Sequence, residues 1–208
     1  MLRRGCLSAC ASCLLPIVLV VAAGGFLYHQ LTTAPTYPPV APSSAGALRR
    51  AVSLAALDAI RRREGVAQVQ LGDAEVTRLL RLGSGTPGTP TDLAAHVERG
   101  QLVVTAAVLP LGQRVVVSFR YQLQPGGGPL ILLHADRVGV GQIGLPGALD
   151  QLVSAGFPGQ LNLDRAGGPR SLAVLCLALD PGRLVAVVRL PGRPGGGGGV
   201  SICAGPSG

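Results

Sequence analysis

Arg114-Val115-Val116-Val117-Ser118-Phe119-Arg120-Tyr121-Gln122-Leu123 is the stretch on which the fold turns. Val115, Val117, Phe119, Tyr121 and Leu123 fall at every second position, with Arg114, Ser118 and Arg120 between them. A period of two is the alternation of a strand with one face on a core and the other in water. Segments 102–109 and 130–140 flank it with the same Val- and Leu-rich character, separated from it by Pro110-Leu111-Gly112 and by the turn-forming run 125–128. Three strands joined by short Pro/Gly connections predict an antiparallel meander.

Toward the C-terminus, Pro146 opens a predicted helix with Leu149, Leu152 and Val153 facing inward and Gly156 as its stop. Segments 172–179 and 184–190 then flank Asp180-Pro181-Gly182, a hairpin turn. Because 172–179 is apolar on both faces, something must cover it twice, which predicts a sheet that curls around a helix.

Toward the N-terminus, residues 83–91 are rich in Gly, Pro and Thr and read as a loop. The helix before it carries Asp73 and Glu75 in its first turn, Arg78 and Arg81 in its last, and Gly83 as stop, matching the macrodipole at both ends. Its apolar side is Val76, Leu79 and Leu80, and a short strand at 67–71 precedes it. On a wheel of 47–63, Leu48, Ala51, Val52, Ala55, Ala56, Ala59 and Ile60 share one half, with Arg49, Arg50, Ser53, Asp58 and Arg61 opposite. Such a small-residue face lets a helix approach a sheet closely; the flanking arginines also suit a membrane surface. The expected class is α+β: a curved antiparallel β-sheet meander wrapped around or packed on helices, preceded by one N-terminal transmembrane helix.

That last element rests on residues 5–28, which carry no charge and as a helix would be about 36 Å long, against a hydrocarbon core of about 30 Å. Arg3 and Arg4 precede them and no basic residue follows until Arg49, so the N-terminus is expected in the cytoplasm and the domain outside. The competing reading is a signal peptide cleaved near Val21-Ala22-Ala23; the length of the run favours a retained anchor, and either way the domain is exported. The 208 residues thus divide into a short cytoplasmic N-terminus (1–4), a transmembrane anchor (5–28), a Pro-rich stalk (29–46), an exported α+β domain (47–190) and a Gly-rich disordered tail (191–208). The expected location is the plasma membrane, single-pass.

Composition removes several classes. With 48% hydrophobic and 13% charged residues, the chain is neither a charged disordered polymer nor a coiled coil. The net charge of +8 does not indicate a nucleic-acid partner, because Arg3, Arg4 and the five arginines of 47–64 carry most of it and no stacking aromatics are interleaved with them. Cys6, Cys10 and Cys13 run into the membrane segment, a context that fits neither a cluster nor a lipobox. Cys176 and Cys203 are the only cysteines beyond it and are the pair available for a disulfide in an oxidising compartment; Cys176 in its apolar run equally suits a buried thiol.

No motif compels a reaction. His134 and Asp136 share a strand face but no third ligand accompanies them, and Ser84 lacks the G-x-S-x-G context of a nucleophile elbow. Neither a P-loop nor a dinucleotide fingerprint occurs. The expectation is a non-enzyme with no catalytic residues, no metal site and no cofactor.

The runs VQLGDAEVTRLL (69–80) and DRVGVGQIGLPGALDQLV (136–153), with the meander between them, resemble the YpmS-like membrane-anchored exported proteins. The resemblance spans about 66–190 and is most specific at 138–152, where a G-x-I-x-L-P step leads from strand to helix. Those proteins are similar to tubular lipid-binding (TULIP-like) domains, in which a curved sheet wraps a long helix and shelters an acyl chain. The resemblance implies an extracytoplasmic protein that binds or shelters a membrane lipid or other apolar envelope molecule; it names no functional residues. The Gly/Pro loop at 83–91 and the sparse aromatics depart from it. An aliphatic groove would be lined by Val115, Val117, Phe119, Ile131, Leu133, Leu149 and Val153. If these residues are instead a filled core, the alternative is a cell-envelope scaffolding module that holds a protein partner.

Overall fold

In a computed structural model of the chain, the described residues are 3–33, 37–38, 40–62, 65–83, 92–108, 115–145, 157, 159–166 and 172–191, the side chains of 3–17 and 61 excepted. In chain order the elements are α1 (Arg3–Thr32), α2 (Ala45–Arg61), β1 (Val66–Gly72), α3 (Asp73–Gly83), β2 (Leu93–Glu98), β3 (Gln101–Val108) and β4 (Val115–Pro125). There follow β5 (Leu130–Val140), β6 (Ile143–Gly144), β7 (Gln160–Asn162), a 3₁₀ turn (Leu163–Ala166), β8 (Ala173–Asp180) and β9 (Arg183–Arg189). The strands form two antiparallel sheets: a larger one ordered β2-β3-β4-β5-β6, with β7 also on β5, and a smaller one ordered β1-β9-β8. The class is α+β.

The meander forms where its alternation put it. Val117, Phe119 and Tyr121 of β4 are buried and their neighbours Ser118 and Arg120 are not. The 180–182 turn joins β8 to β9 through Pro181 and Gly182, whose φ of 74° supplies the left-handed second position that a type II turn requires. Its tip binds the larger sheet, because Gly182 N donates to Val97 O at 2.7 Å. Gly100 N donates to Leu179 O at 3.2 Å and Val174 N to Gly128 O at 2.7 Å, so two hairpin turns of the large sheet grip β8.

Three strands were not anticipated: β2 and the short β6 and β7. β2 lies at the edge of the large sheet, and α3 covers that edge with a column of side chains four residues apart. Asp73 Oδ1 accepts from Val97 N and Thr77 Oγ1 from Ala95 N, both at 2.9 Å, while Arg81 Nη2 donates to Leu93 O at 2.9 Å. Helical spacing of four thus satisfies the strand's outward groups at every second residue, which blunts an edge that would otherwise recruit another strand. Glu75 Oε2 closes the start of α3 by accepting from Gly72 N at 3.0 Å, half of a capping box. At its far end α3 reaches the opposite side of the sheet, where Arg165 Nη1 donates to Leu82 O. A single helix therefore bridges β2 and the β7 region.

α2 begins at a Ser44 cap whose Oγ accepts from Ala47 N at 3.1 Å. Leu48, Val52, Ala56 and Ala59 are buried in one core with Ala67, Val69 and Leu71 of β1. Ile60, expected on the buried half, is 45% exposed: it sits at the margin of the stripe, and the packing closes on Ala56 and Ala59 instead. Leu54 and Leu57 are 63% and 60% exposed on the outer face.

α1 ends against the domain. Thr32 Oγ1 donates to Tyr28 O, Thr33 Oγ1 to His29 O and the backbone N of Gln142 to Gln30 O at 3.0 Å, so two of the four carbonyls a helix normally leaves open, those of His29 and Gln30, are occupied. Among the described residues no helix is long and apolar enough to cross a membrane; residues 5–17 of the expected anchor, whose side chains are not described, lie outside that statement. The described part of the expected stalk lies on the domain: residues 29–32 belong to α1, Tyr37 stacks on His96, and Ser43 N donates to Ala74 O at 3.0 Å. The helix expected at 146–156, the loop 84–91 and the tail from 192 fall outside the described residues.

Candidate ligand-binding cleft

The outward face of the β4–β5 pair presents Ser118 opposite Gly139 and Arg120 opposite Arg137. A bulge beside Arg120/Tyr121 sets this register: Tyr121 faces Ala135, and Asp136 is the extra residue that faces nothing directly. The β5–β6 turn at Gly141 and Gln142 and the ring of Tyr37 close the two ends of a cleft of about 380 Å³ over these residues. Ile143 and Gly144 complete its wall.

Two glycines make the cleft possible. A Cβ on Gly139 would stand 2.8 Å from Ser118 Oγ and 3.3 Å from Ile143 O, so a larger residue there would turn the Ser118 side chain aside and press on β6. Gly141 has φ +58°, and a Cβ on it would overlap the carbonyl oxygens of Gln30 and Leu31, where α1 ends. The end of α1 is thus a neighbour of the cleft.

At the other end, Tyr37 stacks on His96 with ring centroids 5.0 Å apart. Burial and the Glu98 carboxylate raise the Tyr37 pKa against the pull of Arg120, so the phenol stays protonated between an acceptor and a cation. Gln101 Nε2 donates to Glu98 Oε2 at 2.6 Å and holds that carboxylate in place. His96 is 6% exposed, and burial lowers its pKa despite the opposing attraction of Asp73 and Glu98. The 3.7 Å approach of its Nδ1 to Asp73 Oδ2 is therefore that of a neutral imidazole, and its buried Nε2 has no hydrogen-bond partner among the described residues.

The residues expected to line an aliphatic groove sit elsewhere. Val117, Phe119, Ile131 and Leu133 are 0–7% exposed members of the central core, on the face of the sheet opposite the cleft. Phe119 stacks there on Tyr121 and lies 3.9 Å, centroid to centroid, from Phe157. Val115 is half-buried at the start of β4, and Leu149 and Val153 lie outside the described residues. None of the five described ones borders the cleft. His134 and Asp136 are both solvent-exposed. Among the described residues no group of three or more His, Cys, Asp or Glu is placed to hold a metal. Cys176 is disulfide-bonded, facing the same side of the small sheet as its strand partner Val187; Cys203 lies outside the described residues.

The alternation of β4 had put Ser118 and Arg120 on a polar face. What it could not give was the strand opposite them, which depends on the bulge, or the ring of Tyr37, which comes from a Pro-rich segment with no periodicity. Comparisons against protein families, curated proteins and solved structures find no match for the chain.

Proposed function

We propose that this chain is a membrane-anchored extracytoplasmic binding protein, N-terminus inside, whose cleft holds a lipid or another molecule of the cell envelope presented at the bilayer surface. The observation that carries the reading is the junction of α1 with the cleft. The helix ends on the Gly141-Gln142 turn that forms the cleft wall, so a ligand in the cleft lies beside the end of α1. On α1 the successive residues Val18, Leu19, Val20 and Val21 are 60–72% exposed, and four successive positions cover the whole circumference. A helix apolar on all sides favours lipid over water. The disulfide at Cys176 supports an oxidising, exported location.

Binding rather than catalysis fits the lining. Tyr37, Ser118, Arg120, Arg137 and Gln142 offer donors and cations but neither a carboxylate nor an imidazole to move protons at neutral pH. The resemblance to tubular lipid carriers agrees with a lipid ligand. The buried state of Val117, Phe119, Ile131 and Leu133 favours recognition of the polar end of the molecule over swallowing its tail.

The test is native mass spectrometry of the full chain, extracted in a neutral detergent and compared before and after delipidation. A stoichiometric lipid-mass adduct, lost in a Gly141→Ala variant that detaches α1 from the cleft wall, is the expected result. An adduct-free, folded monomer from the first extraction would overturn it.

A second reading, an envelope scaffolding module, draws on Leu54, Leu57 and Ile60, which stand 63%, 60% and 45% exposed on the outer face of α2. It requires that replacing the three by Ser abolishes crosslinking to an envelope protein while leaving the lipid adduct intact.

A further inference from the structure

We infer that the group recognised in this cleft is a phosphoryl anion, held between Arg120 and Arg137. The inference rests on the cleft being the binding site and names the chemistry it reads.

Arg120 and Arg137 are direct cross-strand partners, on one face of an antiparallel pair. Like charges in that position repel, and a sheet normally avoids them. Among the described residues neither forms an ion pair: the recorded bridges join Arg62 to Asp58, His96 to Asp73 and Arg183 to Asp180. The Glu98 carboxylate is bound to Gln101, and the Tyr37 phenol interacts with both Glu98 and Arg120. Two guanidinium groups therefore face one small cavity with no ion-pair partner among the described residues.

An anion between them would turn the repulsion into attraction from both sides. Guanidinium forks match the oxygens of phosphate two at a time, and a pair of forks on opposite strands can hold all the free oxygens of one tetrahedral group. Gly139 and Gly144 keep the floor and wall free of side chains, and a Cβ on Gly144 would meet nothing within 4 Å. The volume of about 380 Å³ is near the lower end for small-molecule sites, which run from about 300 to about 1,000 Å³, and suits a headgroup rather than an acyl chain. The same chemistry is offered by a phospholipid headgroup and by soluble phosphate.

The test uses the full chain in a neutral detergent, with binding followed calorimetrically. The probes are a short-chain phosphatidylglycerol, inorganic phosphate, and an uncharged short-chain diacylglycerol. The phosphatidylglycerol is expected to bind, with an affinity that falls as salt rises, and the diacylglycerol is not. Arg120→Gln and Arg137→Gln should each weaken binding by about tenfold or more, since each removes charge-assisted hydrogen bonds. Gly144→Glu, which enters open space, should abolish it by placing a carboxylate in the cleft; it guards against an arginine variant that fails to fold. Inorganic phosphate competing at the same concentrations as the lipid would assign the site to soluble phosphate; phosphate that competes only at far higher concentration would assign it to the headgroup.

Equal binding of the diacylglycerol and the phosphatidylglycerol, or anion binding that survives both Arg→Gln and Gly144→Glu variants, would overturn the inference. Its failure is distinct from that of the membrane reading. If the chain is released from membranes by alkaline carbonate yet still binds phosphate through Arg120 and Arg137, the anchor falls and the anion site stands. If it stays in the membrane and holds a lipid unaffected by those variants, the anion site falls and the anchor stands.

Discussion

Two single residues join the N-terminal segment to the domain, and each makes a measurable demand. Gly141 combines a positive φ with a backbone contact from α1 that leaves no room for a Cβ. Gly141→Ala is expected to cost about 1–2 kcal/mol from the left-handed backbone alone, and it should also free the end of α1. Limited proteolysis at 33–44 would then accelerate, while Gly144→Ala, in open space, leaves both stability and cleavage unchanged. His96 makes the second demand. Its pKa is lowered by burial beneath Tyr37, with Asp73 and Glu98 pulling the other way and failing to win. Because the folded value lies below the unfolded one of about 6.5, the unfolded chain takes up the proton first as pH drops. Stability from this group is thus full above about pH 6.5 and declines as pH falls below it. Denaturant midpoints between pH 7.5 and 5 should show that decline in the native protein and a flatter profile in His96→Phe; parallel profiles would refute the assignment.

At the scale of elements, the edge of β2 shows what a pattern can and cannot carry. The meander was legible because β4 alternates cleanly from Val117 to Leu123, and the β8–β9 hairpin because Asp180-Pro181-Gly182 has only one good use. β2 was not, since Leu93-Ala94-Ala95-His96-Val97-Glu98 has the small or ambiguous residues Ala94, Ala95 and His96 in its middle. Its existence depends on α3, whose Asp73, Thr77 and Arg81 replace the missing neighbour strand. Asp73 and Arg81 were noted for the helix dipole and Thr77 not at all, yet their spacing of four is equally a ladder for a strand edge. Thr77 is the sharpest probe, because it is fully buried and its hydroxyl is the acceptor for Ala95 N. Thr77→Val preserves the shape and leaves that N–H orphaned, so it should cost about 1–3 kcal/mol. Thr77→Ser keeps the oxygen and should recover much of that loss. A Val variant as stable as the Ser variant would mean that the edge is satisfied by other means.

At the scale of the molecule, the two sheets make one body rather than two. Leu71 and Leu184 of the small sheet, Ile131 and Phe119 of the large one, Val52 of α2 and Leu79 of α3 all belong to a single buried cluster. The sequence announced the apolar faces of these elements but not that they converge, since nothing in a local period says which sheet a face will meet. For the same reason Val117, Phe119, Ile131 and Leu133, expected in a groove, became core, and the cleft arose on the polar side of β4, where a bulge, two glycines and a Pro-rich segment meet. A shared core has a thermodynamic consequence, because neither sheet retains its buried face once the other is lost. Leu71→Ala and Ile131→Ala sit in different sheets and both start from 0% exposure, so each should lower stability by about 2–5 kcal/mol. Both should shift the same single transition. Calorimetry of the two variants distinguishes this from a weakly coupled pair of sheets, in which each substitution would split the endotherm and move only its own component. The coupling also bears on binding, since Arg120 and Arg137 keep their spacing only while β4 and β5 are backed by that core. Either core variant should therefore lose ligand affinity only in step with the fraction unfolded, and a loss in the fully folded protein would mean that the cleft can open without the core.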